Sequence, residues 1–329
     1  MSFPRRLGVP ALITVSALAL GACGGGDGQG ASGPETAGGG PLRIVASTDV
    51  YGDIASAVGG DDVEVSAIIN GLGQDPHSYE ATVQDRLTVS EADVVIQNGG
   101  GYDPFLEQLI EDADAATVLN VVDLSGLQGE GDGHADDEEH DDEEHDGDAD
   151  DHGHGDFNEH VWYNLPVMIS FANTLAQELG RLDDANANAY QDRADAFAED
   201  LQPLLDRLDG LATEHSGQMV AVTEPVPLYL IEAAGLENGT PEDYSRAVEE
   251  ERDVPVAVLE EMKELVSGGT AAFLAYNEQT ESPQTEVVRS EAEDAGLQVV
   301  DFTETLPDGE DFVSWMTANT DSIVDVLGS

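Results

Sequence analysis

Residues 130–156 are almost entirely Asp, Glu, His and Gly, and five histidines lie among them: His134, His140, His145, His152 and His154. A sixth, His160, follows at once in Phe157-Asn158-Glu159-His160-Val161-Trp162. A tract with almost no apolar residue cannot fold around a core, but imidazoles beside carboxylates suit a divalent cation. An acidic linker needs no histidine. The tract therefore points to a low-affinity collector, whose weak mobile sites raise the cation concentration beside a tighter one. The bland alternative is an acid-rich surface in which the histidines are idle.

The tighter site must come from folded parts of the chain. Ligands of open α/β sheets bind beyond the carboxyl ends of the strands, and four polar groups fall at such places. His77, in Gln74-Asp75-Pro76-His77-Ser78-Tyr79, follows the second expected strand. His160 leads from the tract to Trp162. Glu224 directly follows a strand ending Val222-Thr223, and Glu304, in Phe302-Thr303-Glu304-Thr305-Leu306-Pro307, follows one ending at Asp301. Singly, each has an ordinary reading: an exposed turn histidine, a helix-capping acid before Pro225, a loop acid with Asp301 as rival. Together they offer two imidazoles and two carboxylates, a donor set that suits Zn²⁺ or Mn²⁺. A metallohydrolase would need an open coordination position and a nearby base. The chain has neither His-Glu-x-x-His nor a nucleophile elbow.

The elements that position these groups alternate. Strands are expected at 42–47, 63–69, 92–97 and 117–121, with helices at 50–58, 81–90 and 104–110 between them. The pattern restarts with strands at 218–223, 271–275 and 297–301 and helices at 227–234, 256–266, 285–295 and 311–327. Strand–helix alternation implies parallel sheets with helices on both faces. Between the halves lie a helix at 166–179 and a much longer one at 184–214. Leu201, Leu204, Leu205, Leu208 and Leu211 line one face of the longer helix, and Pro203 is expected to bend it. About thirty residues span roughly 45 Å, a length that suits a strut between lobes. The fold class is α/β: two Rossmann-like lobes with parallel sheets, joined by a long rigid linker helix. Boundaries are expected at 41–182 (with the loop 128–156), 183–215 and 216–329.

The formal net charge is −58 over 329 residues, with ten arginines and one lysine, Lys263. That balance suits a surface for high salt, where the Debye length falls to ~3 Å at 1 M. Metal choice must then rest on direct ligands rather than long-range steering. With no basic patch, nucleic acid is excluded as a partner. Arg5-Arg6 followed by an apolar run at 9–20 reads as a signal peptide, too short for a membrane span. Leu20-Gly21-Ala22-Cys23 closes it as a lipobox-like segment (1–23). Cys23 is the only cysteine, so no disulfide or thiolate cluster is available. A Gly/Ser-rich stretch, 24–40, reads as a flexible tether.

These stretches carry a resemblance. Val45-Ala46-Ser47-Thr48-Asp49, Asp75-Pro76-His77-Ser78-Tyr79-Glu80, Asn98-Gly99-Gly100 and Asn158-Glu159-His160-Val161-Trp162 resemble the zinc/manganese solute-binding lipoproteins of bacterial ABC importers, a family that includes metal-binding lipoprotein adhesins. The likeness covers nearly all of residues 42–329. It implies two lobes joined by one helix, no enzymatic turnover, and delivery of the bound ion to an ABC permease and its ATPase. It further implies a monomer held to the outer face of the cell membrane by a lipid on Cys23. His77 and His160 match two family ligands. Glu224 matches a third, which is His in typical zinc members and Glu in many manganese members. Glu304 stands where the family usually has Asp, which leaves Asp301, or Glu278 after Asn277, as substitutes. The paired carboxylates favour Mn²⁺ or Fe²⁺, whereas the histidine tract favours Zn²⁺; zinc is the expected cargo.

Overall fold

The computed structural model describes residues 40–73, 78–113, 117–128, 157–250 and 252–328. His77, the five tract histidines and Cys23 lie outside these residues.

The first half runs β1 (Leu42–Thr48), α1 (Asp49–Gly59), β2 (Val63–Ile69), α2 (Val83–Ser90), β3 (Val94–Gln97), α3 (Pro104–Asp112), β4 (Val118–Asn120) and α4 (Val121–Ser125). Two helices follow, α5 (Leu165–Leu182) and α6 (Ala187–His215). The second half runs β5 (Met219–Val222), α7 (Leu228–Ala233), β6 (Glu237–Asn238), α8 (Glu242–Glu249), α9 (Val256–Ser267), β7 (Ala271–Asn277), α10 (Pro283–Ala295), β8 (Val299–Phe302) and α11 (Phe312–Leu327). The strands form two parallel four-stranded sheets, ordered β2-β1-β3-β4 and β6-β5-β7-β8. In each, the order reverses between the two central strands. That reversal opens the crevice where α/β sheets bind ligands. Thr48, Asn98, Thr223 and Asn277 stand at or just past the carboxyl ends of those four strands.

The expected alternation is present, with differences that have local causes. The second helix starts at Val83 because the Thr82 side chain caps the Asp85 N–H and Asp85 returns the bond to the Thr82 N–H. The fourth strand ends at Asn120, whose side chain accepts from Asp123 N and starts α4 in place of further strand. β6, α4 and α8 were not expected. α8 buries only Tyr244, Ala247 and Val248, one short stripe at i, i+3, i+4. That is too little apolar periodicity to stand out from a polar loop.

α6 is the strut, and it runs through Pro203 as one helix. Tyr190, Ala194, Phe197, Leu201, Leu204, Leu208 and Leu211 are its buried stripe, spaced alternately by four and three as one helical face requires. Its arginines tie it to both halves. Arg193 donates to Gly59 O at 2.8 Å and pairs with Asp62 at 2.9 Å, while Arg207 pairs with Asp321 on α11. Gly60, at φ 58°, sits directly under the Arg193 guanidinium; a side chain there would both strain the backbone and strike it. One apolar core runs from β1 and α1 through Trp162, α5 and α6 to Phe302 and α11. The two lobes therefore share a core rather than meeting across water.

Candidate metal centre

The segment between Phe157 and Tyr163 crosses from one lobe to the other. Asn158 Nδ2 donates to Pro225 O at 3.0 Å, and the Tyr229 hydroxyl donates to Asn158 O at 2.7 Å. Asn98 Nδ2 donates to Glu159 O at 3.0 Å from the first lobe. These bonds bury Glu159 and His160, with 8% and 2% of their surfaces exposed. His160 Nδ1 lies 2.7 Å from Asn158 Oδ1. Because Asn158 uses its amide nitrogen on Pro225, the oxygen faces the ring, so Nδ1 carries the proton and Nε2 is the coordinating atom. Edge contacts with Tyr102 at 5.7 Å and Trp162 at 5.1 Å fix the ring plane.

Tyr102 is placed by the turn Gly99-Gly100-Gly101, all three residues left-handed at φ 79°, 67° and 95°. A Cβ at Gly99 would overlap the Asn120 side chain, so the turn needs glycine both for its dihedrals and for its space. Asp103 fastens the turn by accepting from Asn98 N at 2.7 Å and Gly99 N at 2.9 Å. The Tyr102 hydroxyl thereby reaches across the cleft to donate to Glu304 Oε2 at 3.1 Å.

The second lobe supplies the carboxylates. Glu224 and Glu304 are 4% and 1% exposed. Asn277 Nδ2 donates to both, to Glu304 Oε1 at 2.7 Å and to Glu224 Oε2 at 2.5 Å, and Thr280 Oγ1 also donates to Glu224. The Thr223 hydroxyl accepts from Asn277 N at 3.0 Å and holds that bridge in register. Gln279 Oε1 accepts from Glu304 N at 2.6 Å and Thr305 N at 3.1 Å, which shapes the turn presenting Glu304.

Burial pushes the Glu224 carboxyl up to about 8, and the neighbouring Glu304 charge adds to the rise. Burial likewise lifts Glu159 to about 7, again with help from Glu304. Among the described residues, no arginine or lysine forms an ion pair with Glu159 or Glu224. Buried carboxylates without a protein cation are costly unless they are protonated or meet a metal.

Of the expected ligands, His160, Glu224 and Glu304 face one cleft. The alternatives lie elsewhere. Asp301 points outward from β8 and pairs with Arg289 at 2.9 Å, a bond that uses its charge away from the cleft. Glu278 is exposed beyond β7. Two acids that the sequence reading did not single out join the cleft. Glu159 adjoins His160 in sequence. Glu249, the last residue of α8, is half-buried, and its charge helps raise Glu224. One ligand atom each from Glu159, His160 and Glu249 lies within 4.8 Å of the other two, the one such trio among the described residues. The signal that would have revealed Glu249 is the short stripe of α8, which stops at a carboxylate.

Residues 44–326 match the family of periplasmic zinc-uptake complex component A, ZnuA. The chain belongs to this family. Among curated relatives, it is 26% identical over 280 residues to the manganese ABC transporter substrate-binding lipoprotein PsaA of Streptococcus pneumoniae, covering 78% of this chain and 81% of that protein. It is 28% identical over 237 residues to the manganese-binding lipoprotein MntA of Halalkalibacterium halodurans, covering 67% and 71%. Among solved structures, the periplasmic zinc binding protein TroA from Treponema pallidum superposes with a TM-score of 0.67 at 17% identity, covering 88% of this chain and 99% of that one. FpvC from Pseudomonas aeruginosa, solved with Mn²⁺, gives 0.66 at 22%, covering 88% and 98%. These neighbours share the ZnuA-type fold of two parallel-sheet lobes and a long helix. Among the described residues no helix is long and apolar enough to cross a membrane.

Proposed function

We propose that this chain is the extracytoplasmic substrate-binding component of a metal ABC importer. It captures a divalent cation, Zn²⁺ by preference, between its lobes and hands it to a membrane permease served by an ATPase. The observation that carries the reading is the burial, at one cleft, of His160 with Glu224 and Glu304, two acids held together by the Asn277 amide and linked to the His160 side by the Tyr102 hydroxyl. His77 is the fourth ligand in this proposal and Glu304 stands in for the family's Asp. The ion brings positive charge to the buried acids and is the cargo rather than a catalyst; no reaction is involved. Cys23 is the lipidation site that holds the protein, as a monomer, to the outer face of the membrane. The histidine tract is an accessory collector, and its removal (residues 130–155) leaves the tight site intact.

Elemental analysis of the purified chain, with competitive Zn²⁺ and Mn²⁺ titration of wild type against Glu224→Ala, tests this. Loss of tight binding in the variant is expected. Unchanged tight binding would remove Glu224 as a ligand. Manganese is the second reading, favoured by the number of oxygen donors around His160 and by the manganese relatives above. A titration in which Mn²⁺ outcompetes Zn²⁺ would select it.

A further inference from the structure

Of the trio Glu159, His160 and Glu249, only His160 belongs to the ligand set proposed above. Bonds of about 2.0–2.2 Å put three donors of one zinc ion roughly 3.3–3.8 Å apart, so donors within 4.8 Å of one another need close by no more than about 1.5 Å, a side-chain adjustment, to share one ion. The Glu159 side chain adds an independent sign. It is 8% exposed, yet among the described residues no cation, amide or hydroxyl meets its carboxylate, which has only its own backbone N–H as donor. An acid so placed lacks a positive partner. Glu249, on the opposite lobe, is the most exposed of the cleft acids, whereas Glu304 and Glu224 are the deepest.

His160 links the two groups. With Nδ1 engaged by Asn158, only Nε2 can coordinate, and one nitrogen lone pair holds one ion. We propose that Glu159, His160 and Glu249 form an outer position for a divalent cation, which shares Nε2 of His160 with an inner position at Glu224 and Glu304. The inference rests on the metal-capture reading above. The ion occupies one position or the other, with the imidazole bound throughout. It moves inward by exchanging Glu249 and Glu159 for Glu304 and Glu224, so it is never stripped of all ligands at once. Mouth and floor of the cleft are then two stations of one path, and cleft stoichiometry stays at one ion.

The test compares four full-length proteins: wild type, Glu249→Gln, the inner double variant Glu224→Gln/Glu304→Gln, and that double variant with Glu249→Gln added. The histidine tract gives all four the same background. Zn²⁺ and Mn²⁺ affinities are measured by chelator competition and uptake rates by stopped flow, with thermal unfolding as the folding control. The double variant is expected to keep a weaker cleft site, and adding Glu249→Gln to weaken that site at least about ten-fold further, the scale of a lost ligand. Glu249→Gln alone is expected to slow uptake about ten-fold and to change equilibrium affinity less than about three-fold. Equal binding by the double and triple variants overturns the outer position, as does an unchanged uptake rate in Glu249→Gln. The rate measurement stands even where the double variant fails to fold. A wild type that binds no more tightly than the triple variant would instead overturn the metal-capture reading itself.

Discussion

Removing the Tyr102 hydroxyl is the narrowest cut into the proposed site. Tyr102→Phe keeps the buried ring, its tilted contact with Trp162 at 4.7 Å and its edge contact with His160. It deletes the 3.1 Å donation to Glu304 Oε2 and leaves the Asn277 donation to Oε1 in place. A hydrogen bond to a charged acceptor contributes about 1.5–3 kcal/mol. At 1.4 kcal/mol per decade, the upper bound on lost affinity is roughly a hundred-fold. Loss of a group that orients a metal ligand typically costs about 10–100-fold, so the two routes agree. Tyr102→Phe is therefore expected to weaken the tight Zn²⁺ or Mn²⁺ site by between ten- and a hundred-fold. The assay is competition with a chromophoric chelator, beside thermal unfolding of the metal-free protein. An affinity within about two-fold of wild type, together with a lowered unfolding temperature, would refute the reasoning. It would make Tyr102 a strut between lobes and remove Glu304 from the ligand set.

Other outcomes follow from the same geometry. Asn158→Ala frees Nδ1 of His160 and breaks the bond to Pro225, so metal affinity is expected to fall about 10–100-fold, as measured by calorimetry. Asp301→Ala removes only the outward pair with Arg289 and should leave metal affinity unchanged; a ten-fold loss would restore Asp301 as a ligand. Asp103 is fully buried and pushed by that burial up to about 6 from 3.8. Its raised value means the folded chain binds the extra proton, so its contribution to stability is full below 3.8 and is lost as pH rises through 6. The size is on the order of 3 kcal/mol from the shift at 1.36 kcal/mol per unit. Denaturant unfolding of metal-free protein should show stability falling between pH 4 and 6.5, with a shallower fall in Asp103→Asn.

Much of this was legible because parallel strands buried on both faces read as apolar runs. Ile44-Val45-Ala46 and Val94-Val95-Ile96 are such runs, and the polar residues just past them mark where a crevice opens. His160, Glu224 and Glu304 were named as candidates by that rule. Glu159 was not, because an acid beside a histidine in a polar stretch reads as solvated. Its burial is a tertiary effect of Asn98 reaching 61 residues along the chain to Glu159 O. Glu249 was missed with its helix, since three buried residues in eight give too weak a period to separate from a loop. Glu304 was readable as a candidate but not as the choice over Asp301. Only the Arg289 pair and the outward register of β8 separate the two acids.

The shared core constrains how an ion can leave. Among the described residues, hydrogen bonds cross between the lobes from Tyr102, Asn158, Tyr163, Tyr229 and Asn319 around the cleft, and from the N–H groups of Leu306 and Phe312 to Asp49 and Asp53 on α1. At about 1 kcal/mol net each, swinging the lobes apart would forgo several kcal/mol before any apolar surface is exposed, and the continuous core adds to that. α8 is tied differently. Tyr244, Ala247 and Val248 pack into a separate, smaller apolar cluster with Met262 and Leu274. The apolar face of α8 therefore packs apart from the strut's core. Because α8 ends at Glu249, a movement of α8 would shift the outermost carboxylate of the cleft. On the proposed reading, the ion is expected to exchange by displacement of α8 with the lobes held together, because the core is continuous between the lobes and separate beneath α8.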